Sequence, residues 1–234
     1  MKNCLYTLGV SVALLTFGSF AMAYPTLNGE TGIVALPNAL TADSGSVVGA
    51  VDLLFNDEDT VKARVLYGLN KNAEVGASLS VGIVDGLSVS GKYRFTEAPA
   101  KFNIAGGASL TLANHDETAM DLYLVGTQTF TLNTETNKVL LGTFGVHFIN
   151  ANDDNTLQPF IGAQYPIGKN TQLAAEYQFK DGNIFKKPLT SVVFRHRFTP
   201  SWTGQIGLSN ATGFGATGDS RLFVGAQYTF AQAR

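Results

Sequence analysis

The sequence has little of what stabilises most exported or soluble proteins. Its 234 residues include one cysteine, Cys4, and only 15% charged residues, against about 25% in an average soluble chain. A single cysteine excludes a disulfide framework, and the low charge means that other residues cover much of the surface. After residue 23 no run of 18 consecutive apolar residues occurs, which excludes a transmembrane helix over that part of the chain.

Helical periodicity, a basic charge balance and catalytic motifs are also missing from the sequence. Without Lys2 the chain has 15 Lys and Arg residues against 18 Asp and Glu residues, which is unlike the basic balance of nucleic-acid-binding proteins. There is no GxSxG motif and no cluster with metal-ligand spacing. We therefore predict no enzyme activity, cofactor or metal. A barrel lipid hydrolase would require His196 as its base, and we favour an interfacial role for that side chain.

The beginning of the chain has the pattern of a cleaved signal peptide. Lys2 precedes an apolar run over residues 4–20, and Ala21 and Ala23 occupy the two small-residue positions that a signal peptidase reads. The apolar run is shorter than the roughly 20 residues needed to span a bilayer. We predict that residues 1–23 are removed before Tyr24 and that the protein is exported.

From Gly45 onward, apolar and polar or small residues alternate with period two, the pattern of β-strands with one apolar face. Turn-forming residues separate the alternating segments. Twelve segments are predicted: 45–55, 60–68, 73–82, 87–95, 101–112, 118–131, 137–149, 156–165, 170–179, 189–198, 201–209 and 219–230. The sequence therefore predicts an all-β fold.

Aromatic residues gather at the ends of these segments, which favours a membrane barrel over a soluble β-sandwich. A transmembrane barrel needs strands of about ten residues and aromatic girdles on both sides of an apolar band. One predicted girdle contains Tyr67, Tyr93, Phe95, Phe130, Tyr165, Phe198, Trp202, Tyr228 and Phe230, and a partial second girdle contains Phe55, Phe148, Tyr177 and Phe179. We predict a transmembrane antiparallel up-and-down β-barrel of twelve strands over residues 45–230, followed by a short periplasmic tail at 231–234. A secreted soluble β-protein is the alternative.

Residues 29–54, GETGIVALPNALTADSGSVVGAVDLL, place a Thr-Gly pair and a Pro followed by small residues before the first strand. In this feature, carried by Thr31, Gly32, Pro37, Asn38 and Ala39, the stretch resembles YjbH-like outer-membrane proteins, which are associated with exopolysaccharide export. The resemblance supports an outer-membrane barrel. Residues 24–44 themselves lack a strong strand pattern, so we expect them either to follow the periplasmic rim or to enter the lumen and occlude it.

The last strand resembles the terminal signal of bacterial outer-membrane proteins. Its GAQYTF stretch places Gly225, Tyr228 and Phe230 at alternating positions, and the resemblance implies that the outer-membrane assembly machinery reads it. The location expected is the Gram-negative outer membrane, with membrane lipids and lipopolysaccharide as further partners and no nucleic acid. The sequence indicates no particular oligomeric state.

The strand alternation also predicts which charged side chains face the lumen. The basic ones are Lys62, Arg64, Lys92, Arg94, Arg195, Arg197 and Arg221, and the acidic ones are Asp52, Glu74, Asp121 and Glu176. A basic arc would attract anions, and the planar guanidinium group suits carboxylates and phosphates. Two functions remain open: a narrow porin-like channel for small or anionic solutes, and a non-conducting structural or export-associated barrel whose lumen is filled by ion pairs.

Overall fold

A computed structural model of the protein describes residues 24–55, 59–82, 85–97, 100–113, 118–133, 138–151, 154–180, 187–212 and 215–230. The predicted signal peptide and the predicted tail at 231–234 lie outside these residues. Within them no helix is long and apolar enough to cross a bilayer.

The chain forms a closed barrel in which each strand pairs with its sequence neighbours and the first strand pairs with the last. All pairs are antiparallel, so the predicted all-β, twelve-strand barrel is confirmed. The strands are β1 (Val47–Phe55), β2 (Thr60–Asn70), β3 (Ala73–Val81), β4 (Gly86–Arg94), β5 (Phe102–Ala113), β6 (Thr118–Asn133), β7 (Lys138–Ala151), β8 (Asp154–Pro166), β9 (Thr171–Gln178), β10 (Leu189–Arg197), β11 (Trp202–Thr212) and β12 (Gly215–Phe230).

Barrel closure depends on the register between β1 and β12. Val47 pairs with Phe230 and Leu53 with Val224, so the last residues of β12 lie beside the first residues of β1. The strand β12 begins at Gly215, four residues before its predicted start. Its extension pairs with the end of β11 beyond a register shift between Ser209 and Ala211. Small, turn-like residues therefore continue the ladder because a partner strand is present.

The two faces of the wall differ in the way that the alternation predicts. Large apolar side chains point outward and are exposed along every strand, for example Leu79, Val89 and Leu124. The inward face carries most of the buried polar and charged side chains. An apolar exterior around a closed ladder is what a bilayer requires, because no backbone group is left without a partner in the hydrocarbon region.

Aromatic side chains contact one another at the end of the barrel that carries the start of β1 and the end of β12, here called the terminal end. The ring centroids of Trp202 and Tyr228 are 4.9 Å apart, and those of Tyr228 and Phe230 are 4.8 Å apart. At the other end, called the distal end, Tyr177 and Phe179 form an edge-to-face pair at 4.9 Å. These rings lie where an interfacial girdle would lie.

Candidate functional site in the barrel lumen

Residues 24–42 lie inside the barrel, and together with the exposed residues 43 and 44 at its terminal end they are called the lumenal segment. They are bonded to inward-facing Glu74 on β3 and to inward-facing Glu176 on β9. These strands are six positions apart in either direction around a twelve-strand barrel, so they belong to opposite walls. A segment bonded to both walls must cross the lumen.

The lumenal segment folds into two small hairpins held by their own backbone. Pro25 bridges Thr31, and Gly32 bridges Pro37. Gly32 is required at the junction because a Cβ there would clash with the Thr26 side chain and the carbonyl of Leu36. The Thr-Gly-x-x-x-x-Pro spacing of the sequence is therefore the spacing of a tight loop whose tip is residues 33–36.

The first grip on the lumenal segment comes from Glu74 on β3 and Lys92 on β4, whose Oε1 and Nζ atoms are 2.8 Å apart. The Glu74 carboxylate accepts hydrogen bonds from the backbone N–H of Thr31 at 2.7 Å, from the Thr31 hydroxyl at 2.5 Å and from the backbone N–H of Ala42 at 2.6 Å. Lys92 Nζ donates to the carbonyl oxygens of Thr31 and Asn38 at 2.7 and 3.1 Å. We call Glu74 and Lys92 the first clamp.

The second clamp holds the tip of the loop on the opposite wall and consists of Glu176 on β9 and Arg195 on β10. Three consecutive backbone N–H groups, those of residues 34–36, donate to the Glu176 carboxylate at 2.9, 2.8 and 3.1 Å. Consecutive N–H groups that converge in this way form an anion-binding nest. Arg195 donates to the carbonyl oxygen of Ile33, so both the donors and an acceptor of the tip are bonded to the wall.

Arg195 itself is fixed by neutral neighbours. It is 2% exposed, its Nε donates to Gln205 at 3.1 Å, and its Nη1 donates to Gln172 at 3.4 Å. The guanidinium carbon lies 4.2 Å from the centroid of the Tyr24 ring, a cation–π distance. Burial raises the pKa of Tyr24, and the positive charge of Arg195 partly offsets that rise.

Apolar packing adds to the polar clamps. Leu27, Ile33, Val34 and Leu36 of the lumenal segment belong to a buried cluster with inward-facing wall residues, among them Leu54, Phe160, Val193 and Phe223. Gly162 on β8 makes room for Ile33, because a Cβ at residue 162 would clash with Cδ1 of Ile33. The lumen therefore contains a small hydrophobic core of its own.

Two further charged pairs in the lumen include residues that the alternation places on the inward face. Arg64 forms an ion pair with Asp52 and also donates to the carbonyl oxygen of Pro25 at 2.6 Å. Gln205 donates to the other oxygen of Asp52 at 2.5 Å. Asp121 contacts Nδ1 of His147 at 2.7 Å.

The remaining predicted basic residues occupy the two ends of the lumen. Near the terminal end, Arg94 donates to the carbonyl oxygen of Lys71 and Arg197 contacts the Asn170 side chain at 3.4 Å. Nearer the distal end are Lys62 and Arg221, which repel each other electrostatically. Within the described part of the chain neither of these two has a hydrogen-bonding or ion-pair partner. Of the seven predicted basic residues, five are therefore bonded to neighbouring groups, whereas Lys62 and Arg221 have no such partner among the described residues.

Several residues that matter in the lumen were not singled out by the alternation. Tyr24 and Glu30 belong to a segment without strand pattern. Phe160, Val193 and Phe223 are apolar residues on the mostly polar inward face. Each of the three apolar residues lies in a continuous apolar run of the sequence, such as LFV or VVF. A run of this kind indicates a strand that is apolar on both faces rather than on one.

Two other predicted positions are placed on the wall itself. Gly225 faces inward opposite Asp52, whose side chain occupies the space that a Cβ at residue 225 would need. His196 lies near the terminal end with Nδ1 2.9 Å from the Thr171 hydroxyl and its ring against Phe198.

Comparison with known proteins shows the fold. No family model matches the chain, and no curated protein matches it. Among solved structures it is similar to the KdgM porin, with a TM-score of 0.63 and 15% identity over 80% of this chain and 99% of that chain. It is also similar to the NanC porin, with a TM-score of 0.59 and 11% identity over 78% and 98% of the two chains. An outer-membrane channel from Pseudomonas putida F1 matches with a TM-score of 0.54 and 15% identity over 84% and 100%. The chain therefore has the fold of outer-membrane porin barrels.

Proposed function

We propose that the protein is an outer-membrane channel for small solutes whose lumen is closed at rest by residues 24–44. One observation carries this proposal: the segment that fills the lumen takes no part in the strand ladders that build the wall. Its described backbone bridges are internal to the segment, and its hydrogen bonds to the strands use side chains of the wall. Removal of the segment would therefore leave the barrel intact.

The contacts that hold the segment are of a kind that can exchange. Hydrogen bonds to a charged acceptor or donor contribute about 1.5–3 kcal/mol each in a protein, because water competes for the same groups. Both clamps are made of such bonds. A polar lumen wall can be rehydrated once the segment leaves, which gives a solute path lined by the clamp residues and by the glutamines beside Arg195.

Within this proposal the channel prefers anionic solutes. Lys62 and Arg221 face the distal half of the lumen, and the nearest carboxylate across from Lys62, that of Asp52, is already bonded to Arg64 and Gln205. Two positive charges in a low-dielectric bore concentrate anions at its mouth. One of the KdgM porin structures is of a complex with disordered oligogalacturonate, and a carboxylated sugar oligomer is accordingly the first class of solute to test.

A second candidate function is a non-conducting structural or export-associated barrel. The ion pairs of Arg64 with Asp52 and of Lys92 with Glu74, both buried, favour this alternative. In this alternative, the ion pairs and the packing of residues 24–44 keep the lumen permanently closed. The two candidates differ in what happens when the segment is removed.

The deciding experiment is planar-bilayer conductance of refolded protein that starts at Tyr24, compared with a variant lacking residues 24–42. Residues 43–46 stay in the variant because Gly45 donates to Gly68 at the rim. We expect long closed periods for the wild type and a large, steady current for the deletion, with heat-modifiable gel migration showing that both barrels are assembled. A deletion variant that is assembled but carries no current would overturn the channel and favour the structural barrel.

Selectivity tests the anionic part of the proposal separately. In the deletion background, Lys62→Gln with Arg221→Gln should move the reversal potential in a salt gradient towards cation selectivity. Lys169→Gln, which changes an exposed lysine in the turn between β8 and β9, is the matched control. An unchanged reversal potential would show that Lys62 and Arg221 do not determine the ion selectivity.

A further inference from the structure

Glu30 is a buried carboxyl group in the middle of the lumenal segment. Its side chain is 2% exposed, and no described residue donates a hydrogen bond to its Oε2 atom. The other two carboxylates that meet the segment, Glu74 and Glu176, are surrounded by donors. Of these three carboxyl groups, Glu30 therefore has the fewest hydrogen-bond donors.

The charged and titratable groups around Glu30 come from strands on one side of the barrel. They are Arg64 on β2, Lys92 on β4, Asp121 and Tyr123 on β6, and His147 on β7. The donors of Lys92 are used by Glu74 and by two backbone carbonyls, and Arg64 is bonded to Asp52 and to Pro25. Asp121, which is bonded to His147, repels an ionised Glu30.

Further atoms in this cluster share the lack of partners. Within the described part of the chain the Tyr123 hydroxyl, Nε2 of His147, Oδ1 of Asp121 and Nε of Arg64 are buried without a hydrogen bond. A cluster of buried polar atoms that is only partly bonded is costly, because each unsatisfied group has lost its water. The docked segment is thus least stable around Glu30, in contrast to its two clamps.

We propose that Glu30 is the proton-controlled latch of the channel: the neutral acid keeps residues 24–44 docked, and ionisation releases them. The inference rests on the proposed function, in which undocking opens the lumen. Its basis is geometric, since Oε2 of the buried Glu30 side chain has no described donor, and a buried carboxylate with an unbonded oxygen is costly unless it is neutralised or moves into water.

The direction of the pH dependence follows from linkage. Burial raises the pKa of Glu30 from an ordinary 4.5 to about 7, and a hydrogen bond from its own backbone N–H and the attraction of Lys92 offset this only in part. Docking is therefore strongest below about pH 4.5, weakens as the pH rises through the window from 4.5 to about 7, and is constant above it. A difference of about 2.5 between the docked and released pKa corresponds to about a 300-fold change in the docking equilibrium.

A thiol placed in the segment measures undocking without any current. The chain from Tyr24 onward has no cysteine, so Ala39→Cys introduces a single thiol at a fully buried position. Its maleimide labelling rate is divided by that of Lys169→Cys, an exposed control, which cancels the titration of the thiol itself. We expect this ratio to rise by up to about 300-fold between pH 4.5 and pH 7.5.

The decisive comparison adds Glu30→Gln, which replaces the carboxyl group by a neutral amide of the same shape. The ratio should then stay low and flat across the window. His147→Asn, which removes the neighbouring titratable ring, should keep the pH response. A flat wild-type ratio, a response that survives Glu30→Gln, or a response abolished by His147→Asn alone would each overturn the latch.

Conductance separates failure of the latch from failure of the channel. If the variant lacking residues 24–42 conducts while the labelling ratio of the Ala39→Cys protein is independent of pH, the channel stands and the latch is wrong. If labelling of the thiol at position 39 follows pH but the deletion variant carries no current, Glu30 controls docking of the segment as proposed, and the proposed channel function is wrong.

Discussion

Glu176→Gln tests the second clamp, in which one carboxylate holds the tip of the lumenal segment. The carboxylate accepts three backbone N–H bonds of 2.8–3.1 Å, each worth about 1.5–3 kcal/mol as a bond to a charged group. An amide keeps one oxygen and turns the other acceptor into a donor that faces a backbone N–H. One to two bonds are lost, so docking should weaken by roughly 1.5–6 kcal/mol.

That free energy corresponds to an undocked population about 10- to 25,000-fold larger. The assay is the ratio of the labelling rates of the Ala39→Cys and Lys169→Cys thiols at one fixed pH, compared between Glu176→Gln and the parent. Glu97→Gln, the same chemical change at an exposed residue near the terminal end, is the control and should leave the ratio unchanged. A Glu176→Gln variant with an unchanged ratio and an assembled barrel would refute the view that the nest anchors the segment.

Two further predictions concern packing and assembly. Gly162→Ala places a Cβ against Ile33, so we expect overpacking to weaken docking of the lumenal segment by about 1–3 kcal/mol. The thiol at position 39 should then be labelled faster, while the heat-modifiable migration of the barrel stays unchanged. An unchanged labelling rate would contradict the close contact between residue 162 and Ile33. Truncation before Tyr228 removes the β12 residues that pair with Val47, Val48 and Gly49, so it should abolish the heat-modifiable band. Removal of residues 231–234 alone should leave the band in place. A chain truncated before Tyr228 that still forms the band would show that this pairing is dispensable.

The wall of the barrel was predictable because its rule is local. Side chains alternate between lipid and lumen with period two, so each strand can be assigned from its own ten or so residues without knowledge of its partners. Lys92 and Val89, for example, are assigned to opposite faces by parity alone. The strand ends were less predictable, since β12 continues to Gly215 only because β11 is there to pair with it.

The interior was less predictable because its contacts join distant parts of the chain. Glu176 lies 140–142 residues away from the backbone groups that it binds, and those groups are N–H donors that almost any residue would provide. The period-two alternation correctly places Glu176 in the lumen. It cannot identify the partner of Glu176, because that partner is a set of backbone N–H groups and not a particular side chain. The same holds for Glu30, whose burial depends on how the two hairpins pack against β6 and β7.

The position of the two clamps also has a mechanical consequence. Glu74 and Glu176 stand on opposite walls, and residues 31–36 connect them across the diameter, so the docked segment acts as a strut. A hollow tube resists flattening only through the bending stiffness of its sheet, whereas a strut carries the load along bonded atoms. Compression by the surrounding bilayer along this diameter would therefore bear directly on the segment, and its departure would leave a softer, more easily flattened cylinder.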